Sequence, residues 1–179
     1  LGVANVSFAS DSSASLDENA QGQQGQDRAI AFGNTKNPKN VIFMVSDGMG
    51  PSFNTAYRYY KNKSGAKTLK PTAFDKYLKG TNRTYPNDPK ENVTDSAAGG
   101  TAFATGHKTY NGAISVDTNK KPVKSVLEQA KEQGKSTGLV ITAELTDATP
   151  SVYAAHIDSR DKKDDIAQQF YKDRINGQH

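Results

Sequence analysis

The chain has 179 residues, 34% of them hydrophobic, and a net charge of +4, which suits one globular domain or part of a larger one. With no cysteine, disulfide and thiolate chemistry are excluded. No apolar run approaches the roughly 20 residues of a membrane helix, and the basic residues are scattered, as in Lys120-Lys121 and Lys162-Lys163, without the stripe that nucleic-acid binding needs.

Leu1 is not an initiator methionine, and residues 1–9 are similar to the tail of a signal peptide. Ser7-Phe8-Ala9 has the small-x-small pattern of a cleavage site. An ordinary leader is the alternative; secretion is the expectation. Ser10 to Asn37 is rich in Ser, Gln, Asn and Gly, with little to bury, so residues 1–37 read as a flexible leader and tether.

After Pro38, Val41 to Val45 is a continuous apolar run, as expected of a strand buried on both faces of a mainly parallel sheet. It ends in Ser46-Asp47-Gly48-Met49-Gly50. Asp47 is either an Asx-turn carboxylate or a group facing ligand at the carboxyl edge of the sheet. Neither a dinucleotide fingerprint nor a P-loop is present. Pro51 starts a predicted helix through about Lys61, whose Tyr57, Tyr59 and Tyr60 read as packing and surface groups. Pro71 to Leu78 is a second, short helix, with Phe74, Tyr77 and Leu78 on one side. Gly80 to Asn92 is a polar loop, and Asn82-Arg-Thr and Asn92-Val-Thr fit the short glycosylation pattern.

The chain is organised around Val93-Thr94-Asp95-Ser96-Ala97-Ala98-Gly99-Gly100-Thr101. An acid or serine before a helix-compatible run is a good N-cap, so one reading is a capped helix whose small residues admit a close neighbour. The other is a nucleophile at a helix N-terminus, where free N–H groups and the dipole favour an anion such as phosphate. The predicted helix runs to about Thr105, and Gly106 to Gly112 turns the chain.

Lys121 to Gln133 carries Val123, Val126, Leu127 and Ala130 at helical spacing, with Gly134 at C′. Ser136 to Ala143 reads as the next strand, and strand, helix, strand in this order predicts parallel pairing. Beyond it, Asp147 and Thr149 are oxygen donors two apart, suited either to Mg²⁺ or to a plain turn. His156 and Arg160, four apart, would share a face on a helix. Arg160 is either a phosphate clamp or a surface charge. Asp164 to Ile175 closes the chain as an amphipathic helix around Ile166 and Phe170.

Four stretches together resemble the alkaline phosphatases, particularly the bacterial, Bacillus-type enzymes: Asn40 to Gly50, Thr94 to Thr101, Thr105 to Gly112 and Thr142 to Pro150. They stand in the family's order, which makes the set specific where one alone would be weak. The resemblance implies an α/β fold, a mainly parallel central sheet flanked by helices on both faces, present only in part. Residues 38–179 would be the N-terminal part of the catalytic domain.

It also implies roles. Ser96 is similar to the serine that is phosphorylated and contacts zinc, Arg160 to the phosphate-binding arginine, and Asp95 to the residue that orients it. Asp47 resembles the carboxylate bridging magnesium and zinc, Thr149 a magnesium ligand, and Asp147 the acid that holds a magnesium-bound water. His156 matches a position that is not a ligand, and His107 stands where valine is common. Two Zn²⁺ and one Mg²⁺ are implied, acting on phosphate monoesters in a secreted homodimer that releases inorganic phosphate.

A magnitude supports metal dependence. A metal can lower the pKa of bound water from about 15.7 to about 7, on the order of 12 kcal/mol, whereas a helix terminus offers at most about 2 kcal/mol. The family enzymes run well past 179 residues, and their zinc-binding Asp and His residues lie in the part not included here. Turnover is therefore expected only together with the remainder of the polypeptide. The alternatives are a non-catalytic extracellular phosphate- or cation-binding module, or a phosphodiesterase- or sulfatase-like member of the same superfamily.

Overall fold

The computed structural model describes residues 6–7 and 40–172. The expected tether at 10–37, the signal-peptide resemblance outside Val6–Ser7, and Ile175 lie outside the described residues. The elements in order are β1 (Val6–Ser7), β2 (Met44–Val45), α1 (Pro51–Lys61), α2 (Ala73–Tyr77), α3 (Ser96–Thr105), α4 (Val126–Glu132), α5 (Ala148–Ser151) and α6 (Lys163–Lys172).

The helices begin where local chemistry says they should. Pro51 opens α1 directly after Gly50. The Thr72 hydroxyl accepts the Asp75 N–H and the Asp75 carboxylate accepts the Thr72 N–H, a capping box that starts α2. Asp75 also takes a fork from Arg58 at 2.5–3.0 Å, which ties α2 to α1. Asp95 caps α3, and Gly106, at φ 76°, ends it in the left-handed conformation that glycine adopts without strain.

α4 starts later than the Lys121 onset expected from its periodicity. Asp117 Oδ1 accepts the N–H groups of Asn119 and Lys121, Asp117 N–H bonds Lys121 O, and Val116 bridges to Pro122. That hairpin-like turn holds Pro122 outside the helix, and Ser125 with Glu128 forms the capping box instead. The helix stops at Glu132, and Gly134 follows at φ 76° as anticipated.

The sheet is where sequence and structure diverge. Among the described residues it is a two-stranded antiparallel pair, Val6 opposite Val45 and Ser7 opposite Met44. Residues 136–143 form no strand, and the parallel strand–helix–strand pairing is not made. Val41 is 71% exposed and Val140 fully exposed. A run buried on both faces needs sheet neighbours on either side and helices above and below; among the described residues β1 supplies one neighbour for Met44–Val45 and none is supplied for 136–143.

Instead, the core is built on α3. Ala97, Ala104, Ile114, Ala148, Val152, Ala155 and Ile166 form one buried cluster, with Tyr153, Ile157 and Phe170 packed against it. The small residues of α3 let α5 approach closely: a Cβ added at Gly100 would lie 3.1 Å from Val152 Cγ2. Ile114 and Ile157 exchange both backbone hydrogen bonds at 2.9 Å. Beneath them Thr101 Oγ1 donates to Ala113 O and accepts from Ser115 N–H, and Ser115 Oγ donates to Val152 O. These buried polar groups are thus satisfied.

His156 joins three parts of the fold. Nδ1 faces Ser115 O and Nε2 faces Glu128 Oε1, both at 2.8 Å, while Gln169 of α6 brackets the His156 backbone. A carbonyl and a carboxylate only accept, so the two bonds are made together when both ring nitrogens carry hydrogen. Burial alone would lower the His156 pKa, but the Glu128 and Ser115 hydrogen bonds outweigh it and raise it. Burial likewise works against the Glu128 charge, and the bonds from His156 and Ser125 hold its pKa below the ordinary value.

Two outcomes follow from this packing. The pair stabilises fully between the ordinary Glu and His pKa values, roughly pH 4.3 to 6.5. It fades as pH rises through the raised His156 value, or falls through the lowered Glu128 value. Glu128→Gln is expected to lose about 1–2 kcal/mol near pH 5.5, with the gap to wild type narrowing at alkaline pH; denaturant titrations at both pH values measure it. Gly100→Leu is expected to cost about 1–3 kcal/mol by overpacking Val152, read as a lower denaturation midpoint.

Candidate active site

The N-terminus of α3 faces a cleft of about 150 Å³ lined by Val45, Asp47, Ser96, Gly99, Gly100 and Thr149, among others. Asp95, the N-cap, divides its carboxylate: Oδ1 accepts the Ala98 N–H at 2.8 Å, and Oδ2 accepts the Gly112 N–H at 2.9 Å. Ser96 is the first helical residue, not the cap. Its hydroxyl is therefore not taken up by helix capping.

Arg160 reaches this point from the connection between α5 and α6. Nη1 lies 3.2 Å from Asp95 Oδ2 and 3.0 Å from Ser96 Oγ, and Nη2 lies 3.0 Å from Asp147 Oδ1. Its backbone N–H donates to Gly112 O at 2.7 Å. Burial opposes the guanidinium's charge, but Asp95 and Asp147 outweigh it and raise its pKa further. The rigid planar fork suits this shared geometry, which an ammonium group could not reproduce.

Asp147 caps α5, accepting the Ala148 N–H at 2.8 Å through the same Oδ1 that Arg160 contacts. Thr149, two residues on, donates its hydroxyl to Asp47 Oδ2 at 2.5 Å. Asp47 stands just beyond β2, where Gly48 takes φ 69° and turns the chain. Residues 102 positions apart are thereby joined at the cleft.

Ser96, Asp95, Arg160 and Asp147 thus form one hydrogen-bonded group, and Asp47 and Thr149 form a second across the same cleft. The shared helical face expected for His156 and Arg160 is not formed: the chain between α5 and α6 is turns and a single bridge. His156 points to Glu128, Arg160 to the cleft. His107 bonds the Thr105 carbonyl in its own turn. The sequence reading did not single out Asn111 and Gly112, which hold the Asp95 backbone and carboxylate. An Asn-Gly pair signals a turn, but nothing local says that its amide reaches back 16 residues.

Charge sets what the cleft can hold. Asp47 and Asp95 line the cleft, and the Arg160 guanidinium that bonds Ser96 at its edge is shared between Asp95 and Asp147. The N-terminus of α3 adds only about half a positive charge. A phosphate dianion entering there needs further cations. Asp47 and Thr149 are hard oxygen donors already within one hydrogen bond of each other, which fits part of a Mg²⁺ shell. Zinc does not fit: it favours three or four ligands with nitrogen or sulfur among them, and no cluster of three His, Cys, Asp or Glu is present among the described residues.

The family model described as alkaline phosphatase matches residues 38–178 of the chain. Alkaline phosphatase 3 of Bacillus subtilis (strain 168) is 51% identical over 147 residues, covering 82% of this chain and 32% of that protein. Alkaline phosphatase 4 of the same strain is 55% identical over 142 residues, covering 79% and 31%. Among solved structures, the cold-active alkaline phosphatase from Shewanella sp. matches with a TM-score of 0.67 at 44% identity, over 70% of this chain and 32% of that one. The chain spans about a third of the length of these relatives.

Proposed function

The chain belongs to the alkaline phosphatase family, and on that premise we propose that residues 38–179 are part of the catalytic domain of a metal-dependent phosphomonoesterase working through phospho-Ser96. The observation that carries the proposal is the hydrogen bond from Arg160 Nη1 to Ser96 Oγ at the N-terminus of α3. A nucleophile and a phosphate clamp meet there, beside free helix N–H groups.

The Ser96 hydroxyl would give up its proton as Oγ attacks phosphorus and the bond to the leaving alkoxide breaks, and the leaving oxygen takes up a proton. Water then displaces Ser96 Oγ from phosphorus, giving inorganic phosphate. Two in-line displacements leave net retention at phosphorus. Arg160 would bind two phosphate oxygens, with Asp95 and Asp147 aiming its fork. Asp47 and Thr149 would hold Mg²⁺, with Asp147 acting on it through water. When bound, the cations supply the positive charge that the carboxylates of the cleft call for and lower the pKa of oxygen they contact.

Two Zn²⁺ ions would require donors other than the described residues, so turnover is assigned to the longer polypeptide and the 179-residue chain is expected to be inactive. The same donor count favours, for the chain by itself, the behaviour of a phosphate- or cation-binding half-site. The proposal extends to a secreted homodimer, on the family resemblance and the Ser7-Phe8-Ala9 pattern. No helix among the described residues is long and apolar enough to cross a membrane.

Ser96→Ala in the whole enzyme is expected to abolish acid-stable labelling by radioactive phosphate. Stability should change by less than about 1 kcal/mol, because Asp95 is the cap. Equal labelling of the variant would remove Ser96 from the mechanism. Arg160→Ala is expected to raise the phosphate inhibition constant about tenfold to a hundredfold, the loss of charge-assisted hydrogen bonds. An unchanged constant would return Arg160 to a surface charge.

A further inference from the structure

The turn Tyr110-Asn111-Gly112 holds both Asp95 and Arg160 of the candidate site without lining the cleft. Asn111 Oδ1 accepts the Asp95 N–H at 3.0 Å, and Asn111 Nδ2 donates to Val93 O at 2.8 Å. One amide therefore pairs with the backbone on both sides of Thr94, as a neighbouring strand would. The Asn111 N–H in turn donates to Asp88 Oδ2 at 3.3 Å. The next residue holds the Asp95 carboxylate and Arg160: Gly112 N–H bonds Asp95 Oδ2, and Gly112 O accepts the Arg160 N–H.

We propose that Asn111 is a positioning residue for the nucleophile, setting the entry of the chain into α3 so that Ser96 Oγ stands at a fixed place relative to Arg160. The inference rests on the phosphoserine reading above. Adjacent residues of one turn hold the backbones next to Ser96 and at Arg160, so a single peptide unit ties nucleophile to clamp at the backbone level, beside the side-chain bonds of Arg160 to Asp95 and Asp147. Gly112 adopts φ 87°, a conformation other residues rarely take, which allows its N–H and C=O to serve Asp95 and Arg160 at once. The Asp95 N–H is held by the Asn111 side chain; without it Asp95 would be held through its carboxylate and its carbonyl, with its amide released. A displacement of about 1 Å at a nucleophile can cost on the order of a hundredfold in rate. Phosphate binding, made mainly by Arg160, has its own anchor at Gly112 O.

The test compares Asn111→Ala, Asn111→Asp and Tyr110→Phe in the whole enzyme, with rates normalised to the folded fraction from circular dichroism. Tyr110 OH donates to Asp158 O from the same turn, so Tyr110→Phe loosens the turn while leaving the Asn111 bonds in place. Asn111→Ala is expected to lower kcat at least about tenfold, with the phosphate inhibition constant within about twofold of wild type. Asn111→Asp, which keeps an acceptor for the Asp95 N–H, should recover part of that loss and remains measurable if the alanine variant does not fold. Tyr110→Phe should keep kcat. A wild-type kcat in Asn111→Asp and Asn111→Ala, or an equal fall in Tyr110→Phe, would overturn the inference. Ser96→Ala separates the two levels: an active Ser96→Ala defeats the phosphoserine reading itself, whereas an inactive one beside a fully active Asn111→Ala defeats only the role of Asn111.

Discussion

The Asp95 carboxylate gives one oxygen to the Ala98 N–H at the head of α3 and the other to the Gly112 N–H and the Arg160 guanidinium. Each bond is of ordinary strength, worth about 0.5–3 kcal/mol net. Their joint effect is geometric. The helix start, the turn after it and the arginine from beyond α5 are referred to one group, and Ser96 is the next residue in the chain. Because Asp95 takes the cap, the serine hydroxyl is left to face Arg160 and the cleft.

The same economy leaves a deficit of positive charge. Arg160 is shared between Asp95 and Asp147, and a third carboxylate, Asp47, is held across the cleft by Thr149. Asp95 and Arg160 are half-buried and less screened than surface charges, whereas Asp47 is exposed. The oxygen-only pair Asp47 and Thr149 suits magnesium, and zinc would have to find nitrogen donors elsewhere.

What keeps these groups together is tight packing of small residues beneath them. Gly100 sits against Val152 and the buried alanines of α3 against α5, so the helix that presents Ser96 also carries the core. On the far side, the His156 ring links α4, the Ser115 carbonyl and, through Gln169, α6. Arg160 lies four residues beyond this anchor, and its backbone is held by Gly112. Arg160 is therefore borne on a segment fixed at two points and not on a free loop.

Helix starts and stops were legible in the sequence because their causes are local: Pro51 at the head of α1, Asp95 and Ser96 at the head of α3, Gly134 just past α4, all acting within about one turn of backbone. The candidate site residues were legible as types, an acid after an apolar run and a serine before small residues, and the order of four motifs pointed to the family. Only the tertiary structure decided which of them meet. Asp47 finds Thr149 across 102 residues, and His156 turns to Glu128 while Arg160 turns to Ser96. The apolar runs at 41–45 and 136–143 show the opposite limit. Their composition specifies burial between neighbours, but a strand's hydrogen bonds are made to other segments, so its sequence can request a sheet and cannot form one by itself.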